Sequence, residues 1–212
     1  MCVFELKEPI LWQKILLKLN NFAHSNYYLQ KGIPFFADAF VFTYPIFLIF
    51  IYLYWLYYKQ SQYNFWAIYI FFSAMSSIAV NLIIQQIVCK KRPEQLILSQ
   101  NDLIFKHVPN NPFPSDHAAL SAAIGFSTLF WWLRTNDKFF IYFWIIFIFI
   151  SFFMSICRVA AGVHWPTDIL MWWLVGFVVS LLLISPCVYW FLYKVLYIKL
   201  YNLSLWLFRI KL

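Results

Sequence analysis

Apolar runs dominate the chain, and polar residues punctuate them rather than alternate with them. A helix needs roughly 20 mostly apolar residues to cross a bilayer. Five runs reach or approach that length: about Pro34–Tyr58, Asn64–Cys89, Ser115–Leu133, Phe139–Cys157 and Thr167–Trp190. Short polar breaks separate most of them, with "YKQSQ" after the first, "RTNDK" after the third and "GVHWPT" after the fourth. One break is long, Lys90 to Phe113, and long loops often carry function. The ends differ. Ile10–Ala23 and Val195–Leu212 mix apolar positions with Lys14, Lys18, Lys199, Arg209 and Lys211, which predicts amphipathic helices lying in the membrane interface. A sixth span at the C-terminus would bring its cations into the bilayer. The pattern thus predicts an all-α integral membrane protein, a helical bundle of about five transmembrane helices (six if the tail crosses) with interfacial helices at both ends. Residues 1–212 read as a single domain without internal repeats, and Met1–Gly32 lacks the layout of a signal peptide.

Composition supports the bilayer. The chain is 64% hydrophobic, 24% aromatic and 11% charged, far less charged than a water-facing domain. Its mean hydropathy is +0.72. A net charge of +8 could suggest nucleic acid, but the cations are scattered between apolar runs and read as membrane-edge anchors and anion ligands. Cys2, Cys89, Cys157 and Cys187 show no metal-ligand spacing, and the expectation is buried free thiols rather than a disulfide framework.

Alternation of the runs sorts the polar groups by side. The end of the second run, the start of the third, the end of the fourth and the start of the fifth share one membrane face. They bring "CKKRP", "PSDH", "CR" and "HWPTD" together, while Lys59, "RTNDK" and the basic tail go to the other face. Ionisable residues at membrane depth are functional candidates by default. Arginines suggest phosphate, because a planar guanidinium matches its oxygens and stays charged. Ser115 sits at a helix start, where free amides and the helix dipole attract anions. Pro166 suits a first helical turn and keeps Trp165 out of helical geometry. That leaves His164 just before the fifth run and Asp168 within its first turn, where a carboxylate can hold one imidazole nitrogen and leave the other as nucleophile. Gly162 allows close backbone approach. Taken singly, a histidine at a helix end is ordinarily a surface or capping residue, and His24 and His107 read that way. Asp38, near the start of the first run, reads as interfacial, with a supporting role at the site as the alternative.

Arg92-Pro93, then Pro114-Ser115-Asp116-His117, then Arg158 followed by His164 and Asp168, together resemble the three signature motifs of the type 2 phosphatidic acid phosphatase (PAP2) superfamily. The motif core covers about residues 85–170. The resemblance implies a metal-independent membrane lipid phosphatase with no cofactor. His164 would attack phosphorus and form a phosphohistidine, with Asp168 orienting it. His117 would protonate the leaving oxygen and then activate water. Arg92, Arg158 and Ser115 would bind phosphoryl oxygens, with Asp116, Lys91 and Gly162 as further substrate-side candidates.

Two positions depart from the family pattern. Gln85 stands where a lysine is usual, and Lys90 or Lys91 is the candidate substitute. Asp116 stands where glycine is common, which resembles the bacterial undecaprenyl pyrophosphate phosphatase branch. A carboxylate there would pair with a cation of the long loop, tune His117, or merely complement a helix N-terminus. The reading that follows is hydrolysis of undecaprenyl diphosphate to the monophosphate and phosphate. Lipid A or phosphatidylglycerophosphate phosphatase is the alternative within the family, and a non-catalytic transporter or scaffold the alternative outside it. The partners implied are a lipid phosphate or diphosphate and the bilayer, with no nucleic acid. The expected location is a bacterial inner membrane, with the site facing the periplasm or exterior. Counting Lys and Arg on each face does not decide the orientation.

Overall fold

The computed structural model describes residues 4–57, 61–98, 104 and 116–207. The expected apolar runs are all helices. A short strand β1 (Phe4–Leu6) leads into α1 (Ile10–His24), α2 (Tyr27–Tyr57) and α3 (Ser61–Ile87). Strand β2 (Val88–Lys90) and α4 (Pro93–Leu96) follow, then α5 (Asp116–Thr135), α6 (Lys138–Ala160) and α7 (Pro166–Leu183). The C-terminal part is α8 (Pro186–Phe191), a π-helical turn (Leu192–Tyr197) and α9 (Ile198–Leu207).

By length and apolarity alone three helices can cross a membrane: Tyr63–Ile87, Lys138–Ala160 and Pro166–Leu183. A fourth qualifies if Tyr27–Ala39 and Tyr44–Tyr54 are one span bent by 46°. Pro45 lies just past that bend and cannot donate into the helix ladder, which accounts for it. The third expected run, α5, is not among them. It packs against α3, α6 and α7 at the centre of the bundle, so it meets protein rather than lipid. Apart from Ile124 and Trp131, its buried side chains are correspondingly small: Ala118, Ala119, Ser121, Ala122, Ala123, Ser127 and Thr128. Helices in a bilayer associate through close packing and hydrogen bonds rather than a hydrophobic drive, and both are present. A Cβ on Gly176 of α7 would lie 2.7 Å from the Ala123 amide nitrogen, so only glycine permits this approach. Ser180 Oγ donates to the Ala123 carbonyl (3.0 Å), Ser127 Oγ donates to Ser180 Oγ (3.0 Å), and Tyr69 OH donates to the Ser180 carbonyl (2.8 Å).

The sidedness expected from alternation holds among these elements. Tyr63, at the start of α3, donates to Asp137 between α5 and α6 (2.8 Å), and Arg134 lies over the Tyr189 ring of α8 (3.7 Å). Those contacts define one end of the bundle. At the other end, α1 lies across α6 and the turn before α7. Leu16 is buried against Val159 and Trp165, and Ala23 against Cys157, Ala160 and Val163. Asn20 Nδ2 donates to the Ala160 carbonyl at the end of α6 (2.9 Å). The first expected interfacial helix is therefore also a packed cover over the motif end.

One expectation is corrected. Cys157 and Cys187 are free, but Cys89 is disulfide-bonded; the fourth cysteine, Cys2, lies outside the described residues. Sequence spacing could not reveal this. Cys89 lies in β2, which pairs in parallel with β1, and sits opposite Glu5.

Candidate active site

The end of α6 and the start of α7 build the centre of the site through two standard local devices. Helix α6 stops in a left-handed turn: Gly162 has φ +79°, its amide donates to Val159 O (2.9 Å), and the Val163 amide donates to Arg158 O (3.3 Å). These are the two bonds of a Schellman stop, which favours glycine at the left-handed position. The turn reverses the chain so that His164 comes back against Arg158, six residues earlier. Gly162 thus has a conformational reason to be glycine, independent of any ligand.

Helix α7 starts at once. Trp165 is its N-cap in extended geometry and Pro166 its first residue. Asp168 reaches back, and its Oδ2 accepts the Trp165 amide (2.8 Å). That satisfies one free N–H of the helix start, as in a capping box, and aims the same carboxylate at His164. The Asp168 Oδ2 to His164 Nδ1 distance is 3.6 Å, longer than a formed hydrogen bond. On the other side of the ring, His164 Nε2 lies 3.2 Å from Arg158 Nη2. Arginine only donates, so that contact requires a lone pair on Nε2 and places the ring proton on Nδ1, toward Asp168. This is the tautomer a nitrogen nucleophile needs. The edge of His164 meets Trp172, with ring centroids 4.8 Å apart.

Each charged group is held from behind. The other arginine nitrogen, Arg158 Nη1, donates to the Ala37 carbonyl (3.2 Å) and to Asp38 Oδ1. Asp38 of α2 thus fixes the guanidinium and leaves Nη2 facing His164, which is the supporting role open to it in the sequence. Asp168 Oδ1 accepts from Lys90 Nζ (2.7 Å). Lys90 also pairs with Glu8 Oε2 (2.6 Å), and Thr167 Oγ1 accepts from Lys90 and donates to Glu8 Oε2. Lys90 is therefore committed to carboxylates. The side chain of Lys91, by contrast, is exposed and 3.8 Å from Glu5, while its carbonyl accepts from Trp165 Nε1 (2.7 Å) and ties β2 to the start of α7. Arg92 is buried. Burial pushes its guanidinium pKa below the usual value, and the charges of Glu94 and Asp168 partly offset that; an arginine remains a cation after any such shift.

Arg158 is 1% exposed, His164 2%, Arg92 2% and Asp168 0%. Isolated charges are not buried at such depth without partners or function. The start of α5 adjoins them: Ala118 and Ala119 pack on Trp172, the residue that touches His164. His117 and Asp116 occupy the first turn of α5; their side chains, and Ser115 entirely, lie outside the described residues. The structure thus gathers Arg158, His164, Asp168 and Lys90 directly, brings Arg92 within electrostatic range of Asp168, places the backbone of His117 alongside, and leaves the Lys91 side chain at the rim. Glu8 escaped sequence reasoning. An isolated glutamate in a mixed N-terminal segment carries no periodic or motif signal, and only the pairing of β1 with β2 brings it inward.

Comparison with known proteins supports the same conclusion. No curated protein sequence matches the chain. Among solved structures, the crystal structure of Aquifex aeolicus LpxE is similar at 19% identity and a TM-score of 0.56, over 84% of this chain and 98% of that one. The first transmembrane PAP2-type phosphatidylglycerolphosphate phosphatase from Bacillus subtilis is similar at 16% identity and a TM-score of 0.59, over 82% and 85%. Identities this low establish a shared fold. The PAP2 superfamily model matches residues 66–194, more than half the chain and including every motif described above. The chain belongs to the PAP2 superfamily.

Proposed function

We propose that this protein hydrolyses undecaprenyl diphosphate to undecaprenyl phosphate and phosphate through a phosphohistidine on His164, with residues 1–212 acting as one domain. The observation that carries the catalytic reading is the buried Arg158–His164–Asp168 arrangement, in which Nε2 presents a lone pair beside a guanidinium. A phosphoryl group lodged at Arg158 meets that lone pair. As the Nε2–P bond forms, the bridging P–O bond breaks, and its electron pair leaves with the oxygen, which takes a proton from His117. Water then loses a proton to His117 and attacks the phosphohistidine, freeing phosphate and the ring. Arg92, Arg158, Ser115 and free amides at the start of α5 bind the phosphoryl oxygens throughout. No metal enters these steps.

Two features favour the diphosphate. Asp116 stands where relatives commonly carry glycine, and the net charge of +8 suits an anionic headgroup. Phosphatidylglycerophosphate and lipid A remain the alternative substrates, the first because a structural neighbour is named for it. Orientation is part of the proposal. Cys89, beside Lys90 on the site's face, is disulfide-bonded, and disulfides persist in oxidising compartments. This supports a site facing outward from a bacterial inner membrane. The test is a panel of the three lipids on purified protein with EDTA present. The reading predicts phosphate release that survives chelation, is fastest with undecaprenyl diphosphate and disappears in His164→Ala. A requirement for divalent metal would sink the mechanism, and preference for a monoester would sink the substrate. A cysteine placed at Lys138, in a Cys187→Ser background, should resist a membrane-impermeant thiol reagent applied from outside; labelling would overturn the orientation.

A further inference from the structure

Glu8 lies outside the matched residues 66–194, yet it ends in the interior of the site. Its side chain is 1% exposed and that of Lys90 3%. Close approaches run from Glu8 Oε2 to Lys90 Nζ (2.6 Å), from Lys90 Nζ to Asp168 Oδ1 (2.7 Å), from Asp168 Oδ2 toward His164 Nδ1 (3.6 Å, beyond hydrogen-bond length), and from His164 Nε2 to Arg158 Nη2 (3.2 Å). Thr167 Oγ1 bridges the first two groups, donating to Glu8 and accepting from Lys90. The segment is also fastened. Leu6 sits opposite Lys90 in the β1–β2 pairing, and Gln13 donates to the Glu8 carbonyl (2.8 Å).

Such a cluster is a poor source of stability. Burying two carboxylates and an ammonium costs about what their attraction returns, and apolar replacements are often neutral or better. Glu8 Oε1 is in addition buried with no hydrogen-bond partner among the described residues. A chemical role explains the arrangement. Lys90 alone would neutralise Asp168 and leave nothing to offset a charge on His164. With Glu8 present, two carboxyl groups share one ammonium.

We propose that Glu8 is a positioning residue for phosphoryl transfer: acting through Lys90, it holds Asp168 behind His164 and leaves the Glu8–Lys90–Asp168 group with a net negative charge. The inference rests on His164 being the nucleophile. When Nε2 bonds to phosphorus, the ring keeps its Nδ1 proton and becomes cationic, and the net charge behind it stabilises that cation. The other charged groups around the ring are Arg158 from α6 and, one contact further, Asp38 from α2, with Arg92 within range of Asp168. Glu8 counterbalances that cationic side. The His117 side chain, from α5, is outside the described residues.

The experiment uses the full chain in detergent with a lipid diphosphate, comparing wild type, Glu8→Gln, Glu8→Asp, the double variant Glu8→Gln/Lys90→Gln and His164→Ala. Glu8→Gln should lower kcat roughly 10- to 30-fold with KM within about twofold, because the charge acts on the transition state rather than on binding. With less negative charge behind the ring, the acid limb of kcat/KM should move to lower pH. Glu8→Asp should recover part of the loss. The double variant should recover part of it too, since Asp168 again faces His164 uncompensated. Wild-type kcat and pH profile in Glu8→Gln, with His164→Ala inactive, would overturn this inference alone; activity in His164→Ala would overturn the mechanism beneath it. A lower melting temperature in Glu8→Gln with unchanged kcat would reduce Glu8 to a structural residue. Should Glu8→Gln not fold, Thr167→Val decides: removing the bridging hydroxyl should cost about threefold in kcat at constant KM, and an unchanged kcat would overturn the proposal.

Discussion

The two ends of the helical bundle treat their cations in opposite ways. At the motif end, Lys90, Arg92 and Arg158 are buried, and Lys90 and Arg158 grip carboxylates, while Lys91 alone of the "CKKRP" cations stays exposed at the rim. At the far end, Arg134, Lys138, Lys194 and Lys199 are exposed. There Arg134 lies on the Tyr189 ring at 3.7 Å and Lys194 is 5.0 Å from the Trp190 ring centroid, in the manner of headgroup-level anchors. Both ends look basic in the sequence. Burial and carboxylate backing separate cations arranged for a ligand from cations arranged for a membrane surface. The carboxylates make the same distinction: Asp168 lies inside the charge network, whereas Asp137 caps α6 by accepting the Phe139 amide (3.0 Å).

This contrast can be broken by mutation, and the effects should fall steeply from one end to the other. Asp168→Asn should be the most damaging of the supporting changes, cutting kcat by about 10³-fold or more, because it removes the charge behind the ring and the preference for the Nδ1 proton. Steady-state kinetics check this; a loss under tenfold would leave Asp168 merely capping α7. Arg158→Lys should cost about 10²-fold, since an ammonium cannot hold Asp38 and face His164 at once. If Arg158→Lys retained near-normal kcat/KM, the geometry of the fork would be irrelevant. Gly162→Ala should be milder, about five- to tenfold in activity with a lowered melting temperature, because φ +79° strains any residue with a Cβ. At the far end, Arg134→Gln should change kcat less than about twofold and shift the melting temperature by only a few degrees. A large catalytic defect there would erase the distinction between the two ends.

Much of this was legible in the sequence, for reasons that particular residues show. Pro166 after His164 fixes a helix start, and Gly162 after Arg158 fixes a helix stop, so the separation of Arg158, His164 and Asp168 is set by local chain geometry. Alternation of apolar runs then sorts the motif ends to one face without knowledge of packing. Three features were not legible. The central helix α5 was expected to resemble the other spans, but its small residues answer to helix–helix contact rather than to lipid. Lys90 was a candidate phosphate ligand on charge alone, yet its ammonium is engaged by Glu8 and Asp168. The inward placement of Glu8 depends on the β1–β2 pairing, a contact across more than eighty residues that no local pattern encodes.

The central claim is that His164 carries the phosphoryl group. The direct measurement is rapid acid-free quenching of wild-type enzyme during turnover of a lipid diphosphate labelled in its terminal phosphate, followed by mapping of the bound label. The account predicts an alkali-stable, acid-labile phosphoryl group on His164, absent from His164→Ala. Label on any other residue, or sustained turnover by His164→Ala, would contradict it.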